Sequence, residues 1–141
     1  MRYDRKVYNY GELQFMMTYK EGWGKEFFDK HMEYIGKNDM EGMVKDTYSS
    51  DAALYNAFPF LSSPPPNIIK GTEELIKAFK GYLDYQGEIK VDKLYNFLDS
   101  EEVISFQAVI TSSKTGQWAV SDTWLMKDEK IFRHFGTAHK L

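Results

Sequence analysis

The sequence predicts an α+β fold in which helices pack on one face of a curved, mostly antiparallel sheet. From Trp23 to about Gln86, apolar residues recur with the spacing of helices, interrupted by two short strand-like segments. From Gly87 onward, apolar and polar residues alternate as they do in half-buried strands. Helices followed by long hairpins are typical of α+β domains.

Composition narrows the classes of function. The chain has 141 residues, which is the length of one domain, and it is rich in aromatic residues, with 10 Phe, 10 Tyr and 3 Trp. The net charge of −3, with signs mixed throughout, argues against nucleic acid as the main ligand. The absence of cysteine excludes disulfides, Cys-ligated zinc and thiol catalysis. No apolar run is long enough for a membrane span or a signal peptide, so we expect a cytoplasmic protein that does not bind membranes.

Three helices are predicted within a single domain over residues 23–141. The first covers Trp23–Gly36, and the second is capped at Asn38-Asp39 and ended by Ser49-Ser50-Asp51. Thr72 is the expected N-cap of the third, which carries acidic residues in its first turn. Residues 1–22 lack a sustained period and are interpreted as an N-terminal arm, either packed or disordered.

The strands are predicted from alternation and from turn residues. Ala52–Phe58 is a short strand, the loop 59–67 contains a run of three prolines, and Asn67–Lys70 is an edge strand. Four further strands form an antiparallel meander, at residues 89–97, 103–111, 117–126 and 131–139.

Asp122 is the most informative residue of the meander. Side chains two apart on a strand share a face, so Asp122 lies on one face with Trp118, Val120, Trp124 and Met126. Burying a charged carboxylate there costs several kcal/mol unless a partner relieves it. A misfit of this kind indicates a functional site.

Three motifs resemble the nuclear transport factor 2-like superfamily, and within it the SnoaL-like group of polyketide cyclases and ketosteroid isomerase relatives. They are the strand-to-helix segment Ile69–Leu75, the strand segment Asp122–Leu125, and the hairpin Asp128–Ile131 followed by His134-Phe135. Glu129 stands where this group usually has Gly in the turn, and Leu125 stands where an Arg is common. The resemblance implies a cone-shaped, strongly curved sheet with three helices around an apolar pocket, and often a homodimer through the outer sheet face.

Four residues are candidates for catalysis. Asp122 matches the acid/base aspartate of the SnoaL-like cyclases, and His134 lies near it if the last two strands pair about their tight turn. His31 and Tyr34 lie on the apolar face of the first helix, where Tyr34 could donate to a developing oxyanion. The alternatives are a surface ion pair for Asp122 and ordinary core packing for the others.

Seven further residues are expected to contact a ligand, although an aromatic stripe is also ordinary core. They are Tyr55, Asn56, Phe58, Tyr95, Phe106, Trp118 and Trp124. No spacing of histidines or acidic residues predicts a metal site, and no phosphate loop is present, so no cofactor is expected.

Two functions remain open at this point. The first is a cofactor-free acid/base enzyme of the isomerase, dehydratase or cyclase type, acting on a small hydrophobic oxygenated molecule. The second is a non-catalytic module on the same fold that binds a small ligand or forms a dimer.

Overall fold

The computed structural model describes residues 22–60 and 64–141. Its elements in chain order are α1 (Trp23–Gly36), α2 (Met40–Thr47), β1 (Tyr48–Asn56), β2 (Asn67–Lys70), α3 (Thr72–Gln86), β3 (Ile89–Asp99), β4 (Val103–Ser112), β5 (Gly116–Lys127) and β6 (Lys130–Lys140). Apart from Gly22, the predicted N-terminal arm lies outside the described residues, and the single-domain boundary stays a prediction.

The six strands form one sheet in the order β2-β1-β6-β5-β4-β3. Only the β1–β6 pair is parallel among the described strands, and the others are antiparallel. The sheet is curved and not closed, and the three helices complete it as a cone. The predicted α+β fold is therefore confirmed.

The junction between α2 and β1 differs from the prediction. Asp39 caps α2 as expected, accepting a hydrogen bond from the Gly42 N–H at 2.8 Å. The helix, however, ends at Thr47, and the extended strand begins at Tyr48 and ends at Asn56. The polar run Ser49–Asp51 is not a helix stop, because it crosses an irregular part of β1 where the register with β6 shifts between Tyr48 and Ala53.

The start of α3 also requires a correction. Gly71, and not Thr72, is the N-cap, and it has a φ of 86° that favours glycine. Its N–H donates to the Ala52 carbonyl at 3.0 Å, so the turn that opens α3 is attached to β1. Thr72 is the first helical residue, and no side chain caps the helix.

Two bulges in β3 break the predicted alternation of that strand. The register with β4 shifts between Val91 and Lys93 and again near Asn96, which has a φ of 50°. After the first shift, Leu94 pairs with inward-facing Ala108, and Tyr95 turns to the outer face. Strict period-two reading cannot anticipate such an inserted residue.

The core lies between the helices and the concave side of the sheet. Its most completely buried side chains are Met40, Met43, Val44, Leu75, Ile104, Trp124 and Ile131. None of the described helices is long and apolar enough to cross a membrane. The expected cytoplasmic location stays a prediction.

Candidate functional site

A cavity of about 120 Å³ lies between α1, α3 and the concave side of the sheet. Its wall is mainly aromatic and aliphatic, and Phe28, Phe58, Phe79, Phe106 and Trp124 contribute rings to it. Its residues with polar side chains are His31, Asn56, Tyr82, Asp122, His134 and Thr137.

Asp122 and His134 meet at the wall of this cavity. Asp122 pairs with Gly136 across the β5–β6 ladder, and His134 pairs with Trp124, so the two side chains are diagonal neighbours on the concave face. The His134 Nε2 and Asp122 Oδ2 atoms are 3.0 Å apart, with the side chains 7% and 21% exposed. Gly136, opposite Asp122, has no side chain, which leaves room beside the pair.

Tyr48 holds the other side of His134, and sequence reasoning missed it. Its hydroxyl lies 2.8 Å from His134 Nδ1. Burial, and secondarily the charge of Asp122, raises the pKa of Tyr48 well above its usual value, so the phenol is a neutral donor. The assignment that satisfies all three groups therefore has Tyr48 donating to Nδ1 and Nε2–H donating to Asp122. The available signal was the strand itself, since a strand that begins at Tyr48 directs that residue inward.

His31 is buried in the cavity wall as a neutral ring. Thr47 donates its hydroxyl hydrogen to the Met43 carbonyl at 2.6 Å, so its oxygen accepts from His31 Nδ1–H at 3.3 Å. Burial lowers the pKa of His31 to about 3, and the nearby His134 acts in the same direction. His31 therefore presents its Nε2 lone pair as an acceptor and does not serve as a cationic acid near neutral pH.

Tyr34 lies outside the cavity, which corrects the role expected of it. Its hydroxyl donates to Asp46 at 2.6 Å, and that hydrogen bond is the main cause that raises the pKa of Tyr34. Asp46 also pairs with Lys30 at 2.9 Å. The structure thus places Tyr34 in a surface network between α1 and α2, where it cannot stabilise an oxyanion in the cavity.

The expected ligand contacts divide into two sets. Asn56, Phe58, Phe106 and Trp124 line the cavity. Trp118 does not line it, which corrects the contact expected of it, and its ring instead packs on Phe58 with the two centroids 4.6 Å apart.

Tyr55 and Tyr95 are corrections, because neither lines the cavity. Tyr55 stacks on Phe135 at 4.8 Å on the outer face of the sheet. Tyr95 follows the first β3 bulge and faces outward beside Lys93, whose Nζ lies 5.0 Å from the Tyr95 ring centroid.

Tyr82 on α3 is a second cavity residue that sequence reasoning did not select. The helical pattern places it on the buried stripe of α3, where it reads as core. Burial raises its pKa above the usual value, the charge of Asp122 adds to this, and the nearby Gln86 amide acts in the opposite direction. The phenol therefore remains a neutral hydroxyl group beside an apolar space.

In the described part of the chain, no group of three or more His, Asp or Glu side chains is arranged to hold a metal ion. The polar groups of the cavity wall are instead suited to proton transfer and hydrogen bonding.

Comparison with known proteins gives a fold and no closer relative. No family model matches the sequence, and no curated protein matches it either. Among solved structures, a SnoaL-like protein of unknown function from Burkholderia thailandensis E264 has a TM-score of 0.69 at 9% identity, covering 86% of this chain and 99% of that one. A nuclear transport factor 2-like protein from Anabaena variabilis ATCC 29413 has a TM-score of 0.66 at 15% identity, covering 89% and 96%.

A third likeness is to IdmH from Streptomyces antibioticus, a proposed polyketide cyclase. Its TM-score is 0.65 at 11% identity, and the match covers 82% of this chain and 91% of that one. These matches confirm the predicted resemblance to nuclear transport factor 2-like and SnoaL-like proteins at the level of the fold.

Proposed function

We propose that this chain, which has the nuclear transport factor 2-like fold, is a cofactor-free acid/base enzyme of the isomerase, dehydratase or cyclase type. Its substrate would be a small apolar oxygenated molecule bound in the cavity. The observation that carries the proposal is the hydrogen-bonded series Tyr48–His134–Asp122 in the wall of an otherwise apolar cavity.

The geometry assigns a distinct task to each oxygen of Asp122. Oδ2 accepts from His134 Nε2–H, whereas Oδ1 has no hydrogen-bond partner among residues 22–60 and 64–141. Oδ1 is therefore the atom that takes a proton from a carbon next to a carbonyl, while the electron pair of the broken C–H bond moves toward the carbonyl oxygen. The same oxygen returns the proton at the position that completes the reaction.

His134 and Tyr48 keep this carboxylate oriented. Because Tyr48 occupies Nδ1 as a donor, the neutral imidazole carries its proton on Nε2 and directs it at Asp122. A positioned general base of this kind contributes roughly 10²–10⁴-fold to rate. The proposed cyclase activity of IdmH, which shares the fold, supports chemistry of this class without naming a substrate.

The test is proton exchange, which requires no knowledge of the natural product. Neutral ketones of one to three rings are incubated with the protein in D₂O, and loss of the proton next to the carbonyl is followed by NMR. We expect the wild type to accelerate exchange of at least one ketone, and Asp122→Asn to lower that rate by at least about 100-fold. Asp84→Asn, on the exposed side of α3, is the matched control and should exchange like the wild type.

The proposal fails if no ketone that binds undergoes exchange faster than in buffer, or if Asp122→Asn exchanges at the wild-type rate. In that case the alternative is a non-catalytic ligand-binding module. The mutual hydrogen bonding of Tyr48, His134 and Asp122 favours this alternative, since the series is also satisfied as a purely structural network.

We further propose that the chain forms a homodimer through the outer face of β2, β1 and β6. Ile68, Tyr55 and Phe135 are paired across these three strands and therefore share a face. Ile68 and Phe135 are 59% and 41% exposed, which is unusual for large apolar side chains. Sedimentation at tens of micromolar should show a dimer that Phe135→Lys dissociates, and a monomeric wild type would reject this proposal.

A further inference from the structure

The size of the cavity indicates what kind of molecule it would hold. Its volume is about 120 Å³. For comparison, an apolar protein cavity of about 150 Å³ holds benzene. The space therefore fits a molecule of about one ring.

The charged groups of the cavity wall disfavour an anionic ligand. No Lys or Arg is among the described residues that line the cavity, whereas Asp122 contributes a carboxylate. An anionic ligand would lose its hydration without gaining a counter-ion, and it would sit beside a like charge. The favoured ligand is therefore uncharged.

The hydrogen-bonding groups of the wall are mostly committed. The Asn56 amide donates to the Phe58 carbonyl and to Asn67 Oδ1, and its own oxygen accepts from the Phe58 N–H. The Thr137 hydroxyl donates to the Ser121 carbonyl, and His31 uses its N–H on Thr47. Trp124 Nε1 has no partner among the described residues, but it is covered and closed to a ligand.

Tyr82 is the remaining donor. Its hydroxyl donates to no acceptor in the described part of the chain, because the group that contacts its oxygen, the Gln86 amide N–H, is itself a donor. The Gln86 amide approaches the phenol oxygen and influences its pKa, yet Gln86 Nε2 does not reach hydrogen-bonding geometry with any described acceptor. The open groups of the cavity are thus one donor, Tyr82, and two acceptors, Asp122 Oδ1 and His31 Nε2.

We propose that the site takes an uncharged carbonyl compound of about one ring, and that Tyr82 donates its hydroxyl hydrogen to the carbonyl oxygen. This inference deepens the proposed function and rests on it for the role of Asp122. With the oxygen held by Tyr82, the electron pair released when Asp122 removes the neighbouring proton accumulates at a hydrogen-bonded oxygen. Tyr82 thereby takes the oxyanion-stabilising role that the sequence analysis expected of Tyr34.

Four probes separate size, charge and hydrogen bonding, and their binding is measured by calorimetry and ligand-observed NMR at pH 7. Cyclohexanone is the ketone, methylenecyclohexane is its isostere without an oxygen, cyclohexanecarboxylate is the anion, and 1-decalone has a second ring. We expect cyclohexanone to bind about fivefold more tightly than methylenecyclohexane, the difference made by one hydrogen bond. The carboxylate and the decalone should each bind at least about tenfold more weakly than cyclohexanone.

Tyr82→Phe should weaken cyclohexanone binding about fivefold and leave methylenecyclohexane within about twofold. Tyr34→Phe, which removes a phenol outside the cavity, is the matched control and should change neither affinity. Equal affinity of the wild type for the ketone and its isostere would overturn the inference, and this comparison does not depend on any variant folding. Binding of the anion or of decalone as tightly as cyclohexanone would also overturn it.

The outcome is separable from that of the proposed function. If the ketone pattern holds but no Asp122-dependent exchange occurs, the acid/base proposal fails and the ligand class stands. If exchange occurs only with two- or three-ring ketones, the enzyme proposal stands and the inferred ligand class is rejected.

Discussion

Gly136 is the residue that leaves Asp122 open to a ligand. A Cβ at this position would lie 3.4 Å from both Asp122 Oδ1 and His134 Nε2. Oδ1 is the oxygen without a described partner, so a single methyl group would cover the atom proposed to take the proton. The pairing of Asp122 with a glycine is therefore a condition for the proposed function more than for folding.

Gly136→Ala should lower exchange of a bound ketone at least about tenfold while changing the free energy of unfolding by less than about 1 kcal/mol. The reason is that the methyl group fits at ordinary contact distance but occupies the place of the substrate. Gly81→Ala on α3, where a Cβ meets no neighbour within 4 Å, is the control and should keep full exchange. Unchanged exchange in Gly136→Ala would mean that the ligand approaches Asp122 from another side.

Tyr48→Phe should alter the tautomer of His134. Without the phenol, Nδ1 loses its donor, and the imidazole is no longer confined to the Nε2–H form. The ¹⁵N shifts of the His134 ring report this directly, and the loss of one buried hydrogen bond should cost about 1–2 kcal/mol of stability. Tyr95→Phe, on the outer face, should leave the ring shifts unchanged, whereas a wild-type ring already protonated on Nδ1 would contradict the assignment.

Sequence reasoning placed part of the site and could not place the rest. Asp122 and His134 were brought together by strand alternation and by one tight turn, both of which are local signals. Predicting Tyr48 as a site residue requires knowing where the preceding helix ends. Predicting Tyr82 requires knowing which residues of distant elements face the same cavity. The role predicted for Tyr34 was wrong for the same reason, because helical spacing indicates an apolar face but does not show that the Tyr34 hydroxyl donates to Asp46.

At the scale of elements, the β5–β6 turn fixes the register that joins Asp122 and His134. Lys127 pairs with Lys130 across a two-residue loop, in which Asp128 and Glu129 have φ values of 52° and 61°. These are the values of a type I′ turn, which suits the twist of a hairpin but strains residues with a side chain. Glu129 stands where the SnoaL-like group usually has Gly, and the structure shows that Glu129 nevertheless adopts the left-handed conformation.

Glu129→Gly should therefore raise the free energy of unfolding by about 0.5–1 kcal/mol, because glycine adopts positive φ without a steric cost. Chemical denaturation measures the change. Glu102→Gly is the control. Glu102 lies in the connection between β3 and β4, where its φ is not positive, so this change should be neutral or destabilising. A loss of stability in Glu129→Gly would show that the Glu129 side chain contributes more than the strain it introduces.

The errors at this scale share a physical cause. The bulges in β3 and the polar irregular part of β1 each depend on how a strand fits its neighbour. Such features depend on the curvature of the whole sheet, and they cannot be predicted from the propensities of neighbouring residues alone. The regular elements, α1 and the strands after Gly87, follow their own periodicity and were predicted well.

At the scale of the molecule, one buried histidine links folding to pH. The pKa of His31 is about 3 in the folded protein, against 6.5 when the side chain is free, and burial is the main cause. Between these values the unfolded chain binds a proton that the folded chain does not, so acid favours unfolding. The contribution of His31 to stability is complete above pH 6.5 and is lost as the pH falls toward 3.

Replacing the histidine should remove this dependence. Below pH about 6, stability of the wild type should fall more steeply than that of His31→Asn, by as much as about 1.4 kcal/mol per pH unit, which corresponds to one proton. Carboxylates contribute equally to both proteins and cancel in the comparison. Denaturation curves from pH 7 to 4.5 provide the test, and parallel slopes would mean that His31 is protonated in the folded state.

The position of β6 has a consequence for how the molecule is made. This strand is the last element of the described chain, yet it lies in the interior of the sheet, between β1 and β5. A nascent chain that has not yet delivered residues 130–140 leaves two unpaired strand edges facing each other across a gap, and it also lacks His134. Residues 130–140 must therefore have left the ribosome before the sheet can close, and a chain that ends before them lacks both an interior strand and His134.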